Sequence, residues 1–122
     1  MQRVTGMPTN PELIRLIRVL KKAANKNGAA IWRDLAQRLS KARSRRVAVN
    51  LSRINRYSTS GETILVPGKV LGAGIIGHPV KVAAFQFSEQ AKLKIAKAKG
   101  KCLTIEELME KNPRGSNVKI IG

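Results

Sequence analysis

Three glycines, Gly72, Gly74 and Gly77, stand in the spacing G-x-G-x-x-G. In a dinucleotide site that spacing follows a strand, opens a helix and lays a pyrophosphate on the helix N-terminus. The flanking residues exclude this chemistry. His78-Pro79 comes at once, a strand-like run begins at Val80, and Pro67-Gly68 interrupts the strand before it. The segment reads instead as a glycine-rich loop that lets backbone approach something closely, either RNA backbone or another part of the fold, with Lys69 adding charge nearby. His78 is the only histidine and has no identifiable partners for a Ser–His–Asp or Cys–His arrangement, so loop packing or a polar contact accounts for it. Glu106 and Glu110 are spaced to share a helix face. Glu107, however, completes a capping box with Thr104, and all three acids complement the positive end of a helix dipole. Cys102 is the only cysteine, which excludes an internal disulfide and a Cys-based zinc site and reads as a buried thiol. The expectation is a protein that is not an enzyme and holds no cofactor and no metal.

The remaining chemistry is cationic. Lys41, Arg43, Arg45, Arg46, Arg53 and Arg56 fall within residues 41–56 with no acid among them. The guanidinium fork grips phosphate oxygens in pairs and stacks on bases, so this basic arm is expected to contact nucleic acid. The whole chain carries 24 Lys plus Arg against 7 Asp plus Glu, a net charge of +17 on 122 residues. Such a surplus repels itself unless a polyanion neutralises it, and phosphates do so with release of condensed counterions. The charge is also polarised. Residues 1–60 hold 14 basic and 2 acidic residues, whereas residues 61–122 hold 10 and 5. That asymmetry marks a face or an arm rather than dispersed solubility charge. A membrane surface is the weaker polyanion, because the basic helices lack the broad aromatic or leucine-rich face used for interfacial anchoring. The few aromatics, Trp32, Tyr57, Phe85 and Phe87, point to phosphate and sugar contacts rather than to an extended base-stacking platform.

The elements that position these residues can be read in order. Residues 1–9 look like a flexible basic leader broken by Gly6 and Pro8. Asn10-Pro11-Glu12 opens a helix whose Leu13, Leu16, Ile17, Leu20 and Ala24 keep helical spacing, and Asn27-Gly28 stops it. A second helix is expected from about Ala29 to Lys41, with Ile31, Trp32, Leu35, Ala36 and Leu39 on its apolar face. The two form a helical hairpin, with Trp32 in its core. Beyond the basic arm, Thr63–Val66 is a short strand ended by Pro67-Gly68, and Val80–Phe87 is a better one. Ser88 caps a helix over roughly 89–99. Cys102-Leu103 is a short strand, Thr104 starts a second short helix that ends at Asn112-Pro113, and Val118–Ile121 closes the chain as a strand. Strand–helix–strand–helix–strand implies crossovers and a small parallel or mixed sheet. The fold class is α/β: an N-terminal helical hairpin and basic arm, then a small irregular β-α-β-α-β unit. Residues 10–122 are read as a single domain, with a basic helical RNA-binding part over 10–60 and an α/β core over 61–122. No signal-peptide pattern or membrane-length apolar run is present, so a cytoplasmic location is expected.

Four stretches carry a resemblance: Asn10-Pro11 before the helical pair with Trp32; Val49-Asn50-Leu51-Ser52-Arg53-Ile54; Val66-Pro67-Gly68-Lys69-Val70-Leu71-Gly72 with Gly74; and Val82–Phe85 through Phe87-Ser88, then Asn112-Pro113, Gly115-Ser116 and the last strand. On these residues the chain resembles the archaeal and eukaryotic large-subunit ribosomal protein eighteen family, a relative of the universal large-subunit ribosomal protein fifteen. The likeness spans about residues 10–122, and its most specific part is the Val66–Gly72 run. The chain departs from the family pattern in having no proline between Pro11 and Pro67. The resemblance implies a structural constituent of the large ribosomal subunit that binds and stabilises large-subunit rRNA. It implies RNA contact by Lys41, Arg43, Arg45, Arg46, Asn50, Arg53, Arg56 and Lys69, and neighbouring large-subunit ribosomal proteins as further partners. The alternative is a DNA-compacting, nucleoid-associated protein, which net charge alone does not separate but which has no need of the Val66–Gly72 run.

Overall fold

The computed structural model describes residues 11–40 and 47–122. Among them, five strands and five helices alternate around one sheet: α1 (Pro11–Asn27), α2 (Ala30–Leu39), β1 (Val47–Asn50), α3 (Leu51–Tyr57), β2 (Thr63–Leu71), β3 (Lys81–Phe87), α4 (Glu89–Lys97), β4 (Lys101–Thr104), α5 (Ile105–Lys111) and β5 (Val118–Ile120). Every strand pairing is parallel, so the parallel alternative of the sequence reading holds. The order is β1-β2-β3-β4, and β5 shares the β1 edge of β2. β5 pairs with Thr63–Leu65 and β1 with Gly68–Leu71, so the two short strands divide one long edge between them.

Parallel strands covered on both faces are apolar without strict alternation, and this explains the unbroken burial of Ile64–Gly68 and Val82–Ala84. Side chains pointing one way (Leu65, Ala83, Leu103) pack under α1, α2 and α5. Those pointing the other way (Ile64, Val66, Val82, Ala84) pack under α3 and α4. The result is a three-layer arrangement with one hydrophobic core on each side of the sheet.

Local chemistry sets most helix ends as expected. Gly28 adopts φ +61° after α1, a left-handed stop that glycine takes without strain. The Ser88 hydroxyl accepts from Ala91 N at 3.1 Å to cap α4. The Thr104–Glu107 capping box closes reciprocally at 3.0 and 2.8 Å. Trp32 is fully buried in the first core, and its indole N–H donates to the Pro113 carbonyl at 2.7 Å.

Two expectations are corrected. Pro67-Gly68 does not end the strand, since β2 runs on to Leu71 with a register shift against β3 between Val66 and Lys69. A bulge is where a strand tolerates a residue with no N–H to give the ladder. The stretch read wholly as a basic arm also contains β1 and α3, so residues 47–57 are built into the sheet and its second core through Val49, Leu51 and Ile54.

Candidate nucleic-acid interface

The chain enters the sheet at Val47, opposite Gly68, and leaves β1 at Asn50, opposite Leu71. Val49 and Val70 point into the second core. Alternation then places Ala48, Asn50 and Lys69 on the other face, where all three are exposed. Ala48 and Lys69 are register partners. Asn50 precedes α3 as its N-cap in extended conformation (φ −83°, ψ 156°), yet its side chain makes no capping bond, which leaves its amide available. Lys69 also stands on the rim of a cleft at the carboxyl ends of the strands, with Phe85, Gln86, Phe87, Lys92 and Thr104.

α3 carries Arg53 and Arg56, both exposed. Their guanidinium carbons lie 5.8 and 6.0 Å from the centre of the Tyr57 ring. Four of the seven acids are engaged in ion pairs elsewhere: Glu106 with Arg15 at 2.8 Å, Asp34 with Arg38 at 3.3 Å, Glu89 with Lys92 at 3.7 Å and Glu62 with Lys119 at 3.3 Å. Among the described residues, no ion pair engages Arg53, Arg56 or Lys69. Lys41, Arg43, Arg45 and Arg46 lie outside the described residues.

The glycine loop, residues 72–80, joins β2 directly to β3 with no helix between, so a nucleotide-holding helix N-terminus is absent from this connection. Of the two openings left for its close approach, the fold itself is one that the geometry fills. Ser52 N donates to the Ala73 carbonyl at 3.1 Å, satisfying one of the N–H groups that α3 leaves free at its start. Lys94 Nζ donates to the carbonyls of Gly72 and Gly74, each at 2.8 Å. Gly77 N donates to Asn55 Oδ1 at 2.9 Å. A Cβ on Gly74, whose φ is +94°, would sit 2.7 Å from Ser52 N. The loop is therefore bolted to α3 on one side and α4 on the other.

His78 meets a serine that its sequence neighbours do not reveal. Its Nε2 lies 2.9 Å from Ser58 Oγ. The buried Ser58 hydroxyl also donates back to the Ile54 carbonyl. A hydroxyl has one proton, so the imidazole N–H donates to Ser58. That polarity is opposite to the one a serine nucleophile requires, and the pair instead ties the loop to the end of α3. Glu106, Glu107 and Glu110 form no catalytic set. Arg15 holds Glu106 by two bonds at 2.8 and 3.1 Å, and Glu107 belongs to the capping box. Hydrogen bonding from Arg15 draws the Glu106 carboxyl below the ordinary glutamate range; burial opposes this in part, and the charge of Arg15 adds a smaller lowering. Cys102 is partly buried against the second core rather than fully so. Burial pushes its thiol up, and the nearby Lys92 offsets this only in part. No group of three or more His, Cys, Asp or Glu among the described residues is arranged to hold a metal, and no described helix is long and apolar enough to cross a membrane.

Sequence reasoning assigns no role to Tyr57, Lys94 or Lys119. The signal that finds Tyr57 is helical, since Arg53 is one turn before it and Arg56 immediately before it. It becomes visible only once α3 is recognised.

Fold and surface together define a small, strongly basic α/β protein in which Arg53 and Arg56 on α3 and Lys69 on β2 are exposed and, among the described residues, outside every ion pair. Residues 2–122 match the family described as ribosomal protein 60S L18 and 50S L18e. The chain is 56% identical to the large ribosomal subunit protein eL18 of Methanosphaerula palustris over 113 residues, covering 93% of each chain. It is 53% identical to the protein of the same name from Methanothermobacter thermautotrophicus, again over 93% of each chain. With the one from Methanopyrus kandleri it shares 52% over 119 residues, covering 93% of this chain and 94% of the relative. The chain belongs to this L18/L18e ribosomal protein family.

Proposed function

We propose that this protein is a structural constituent of the large ribosomal subunit that binds and stabilises large-subunit rRNA without catalysing a reaction. The observation that carries the reading is the pair of exposed arginines, Arg53 and Arg56, outside every ion pair among the described residues, on the segment continuous with the arm of Lys41, Arg43, Arg45 and Arg46, with Lys69 exposed on the neighbouring strand β2. Asn50 adds a free amide beside them. The family and the names of its members favour rRNA over chromosomal DNA as the polyanion.

The mechanism is scaffolding. Two cores on a parallel sheet hold α3 and the β1–β2 edge rigidly, so that cations stand at fixed spacing. They neutralise phosphates where RNA helices come together and would otherwise repel. Phosphate contacts set affinity and register, whereas shape and 2′-hydroxyls supply most of the discrimination. Neighbouring large-subunit proteins complete the assembly, in the ribosome of the cytoplasm.

A sucrose gradient of native lysate, blotted for this chain at moderate and high salt, tests the reading. Co-migration with the large subunit that survives high salt is expected. A chain that stays at the top of the gradient, or tracks with chromosomal DNA, overturns it.

A further inference from the structure

Net charge accounts for phosphate contacts and is silent about bases. Of the four aromatic side chains, Trp32 is buried and Phe85 and Phe87 pack partly against the two cores. Tyr57 is the exception, with 51% of its surface exposed. It is the last residue of α3, and Arg53 and Arg56 flank its ring at 5.8 and 6.0 Å. Both guanidinium carbons stand over the ring near the outer limit of about 6 Å for a cation–π contact, so the contact is loose and half of the tyrosine surface stays exposed. Neither arginine takes part in an ion pair among the described residues.

The end of a helix ordinarily repels phosphate, because its last carbonyls are exposed. Here Lys119 Nζ takes the Tyr57 carbonyl at 2.9 Å and also holds Glu62 at 3.3 Å. The nearby negative charge is thus matched by an ammonium group. What remains is a half-exposed aromatic ring beside two guanidinium forks that are outside every ion pair among the described residues. Any base can stack on such a ring, and the forks have the geometry to hold the phosphates on either side of it.

We propose that Tyr57, Arg53 and Arg56 form a stacking site for one unpaired RNA base, with Tyr57 taking the base and the two arginines its flanking phosphates. The inference rests on the RNA-binding reading and adds a base contact to it. A base reaching this site must be unpaired, as in a loop, bulge or single-stranded joint, because duplex bases have no free face.

The test uses the full chain and two labelled probes: a short oligouridylate and an oligomer of equal length and charge with every base removed. Affinities are measured at matched salt for the parent, Tyr57→Ala and Tyr57→Phe, with melting temperatures alongside. The parent should prefer oligouridylate by about tenfold, within the range of one base–aromatic stack. Tyr57→Ala should abolish the preference by weakening oligouridylate binding alone, with no loss of melting temperature, and Tyr57→Phe should keep it. Equal binding of both probes by the parent, or an unchanged preference in Tyr57→Ala, overturns the stacking site while leaving RNA binding intact. Failure to bind either probe at physiological salt overturns the RNA-binding reading, and the stacking site with it.

Discussion

Trp32 and Pro113 stand 81 residues apart in the chain and are joined by a 2.7 Å hydrogen bond from the indole N–H to the proline carbonyl. The bond locks the helical hairpin to the turn that follows α5. It also explains why a tryptophan, and not simply a large apolar residue, fills this part of the first core, since a buried indole N–H needs an acceptor.

Trp32→Phe should therefore cost more than lost volume. The Pro113 carbonyl, on an exposed residue, loses its partner, a net penalty of about 0.5–1.5 kcal/mol in addition to the loss of packing. Urea denaturation should show a lower midpoint with an unchanged slope. A midpoint equal to the parent's would mean that water satisfies the carbonyl.

Gly74→Ala and Gly61→Ala separate steric from conformational cost. Both glycines have positive φ, +94° and +86°. A Cβ on Gly61 meets nothing within 4 Å, whereas one on Gly74 would lie 2.5–2.9 Å from Ser52 Cβ, N and Cα. Gly61→Ala should lose about 1–2 kcal/mol from backbone strain. Gly74→Ala should lose a further ~1–3 kcal/mol from overpacking. The same denaturation experiment reads both, and equal losses would contradict the close approach of the loop to α3.

The Arg15–Glu106 pair predicts a pH dependence whose sign is set. The Glu106 carboxyl is lowered in the folded protein, first by the hydrogen bonds from Arg15. A depressed carboxyl stabilises the fold above its unfolded value of about 4.3, and that contribution disappears as pH falls through the folded value. The melting-temperature gap between parent and Glu106→Gln should be fully open at neutral pH and should close below about pH 4. Both side chains are largely exposed, 60% and 42%, so added salt should narrow the gap at neutral pH as well.

Arg53→Ala with Arg56→Ala should change the salt dependence of RNA binding more informatively than affinity at one salt. Each phosphate contact on a single strand contributes about 0.7 to the slope of log K against log salt, so losing two should flatten it by about 1.4. Arg45→Ala with Arg46→Ala should flatten it too. An unchanged slope in either double variant would remove those residues from the phosphate contacts.

Much of this architecture was legible from local chemistry. Asn27-Gly28, Ser88, the Thr104–Glu107 capping box and Asn112-Pro113 mark helix ends because their signals act within a few residues. β1 and α3 were not legible, and the reason is physical. Residues 47–50 form a strand because β2, some twenty residues later, offers its edge. α3 has no side-chain cap on Asn50, and Ser52 N finds its acceptor in the Ala73 carbonyl. A run rich in arginine reads as an arm when such distant partners are out of sight. Pro67-Gly68 misled for the same reason, since a bulge is a relation between two strands.

By itself the sequence determined the class of the fold, the apolar faces of the terminal helices, the polarised charge and the family likeness, because each depends on composition, period or a short motif. Tertiary structure alone decided that the glycine loop packs on Ser52 and is held by Lys94, that Ser58 receives the His78 N–H, and that Tyr57 stays half-exposed with two guanidiniums over its ring. Those outcomes depend on which distant groups the sheet brings within hydrogen-bond reach and which side chains its two cores leave uncovered, and no local pattern encodes either.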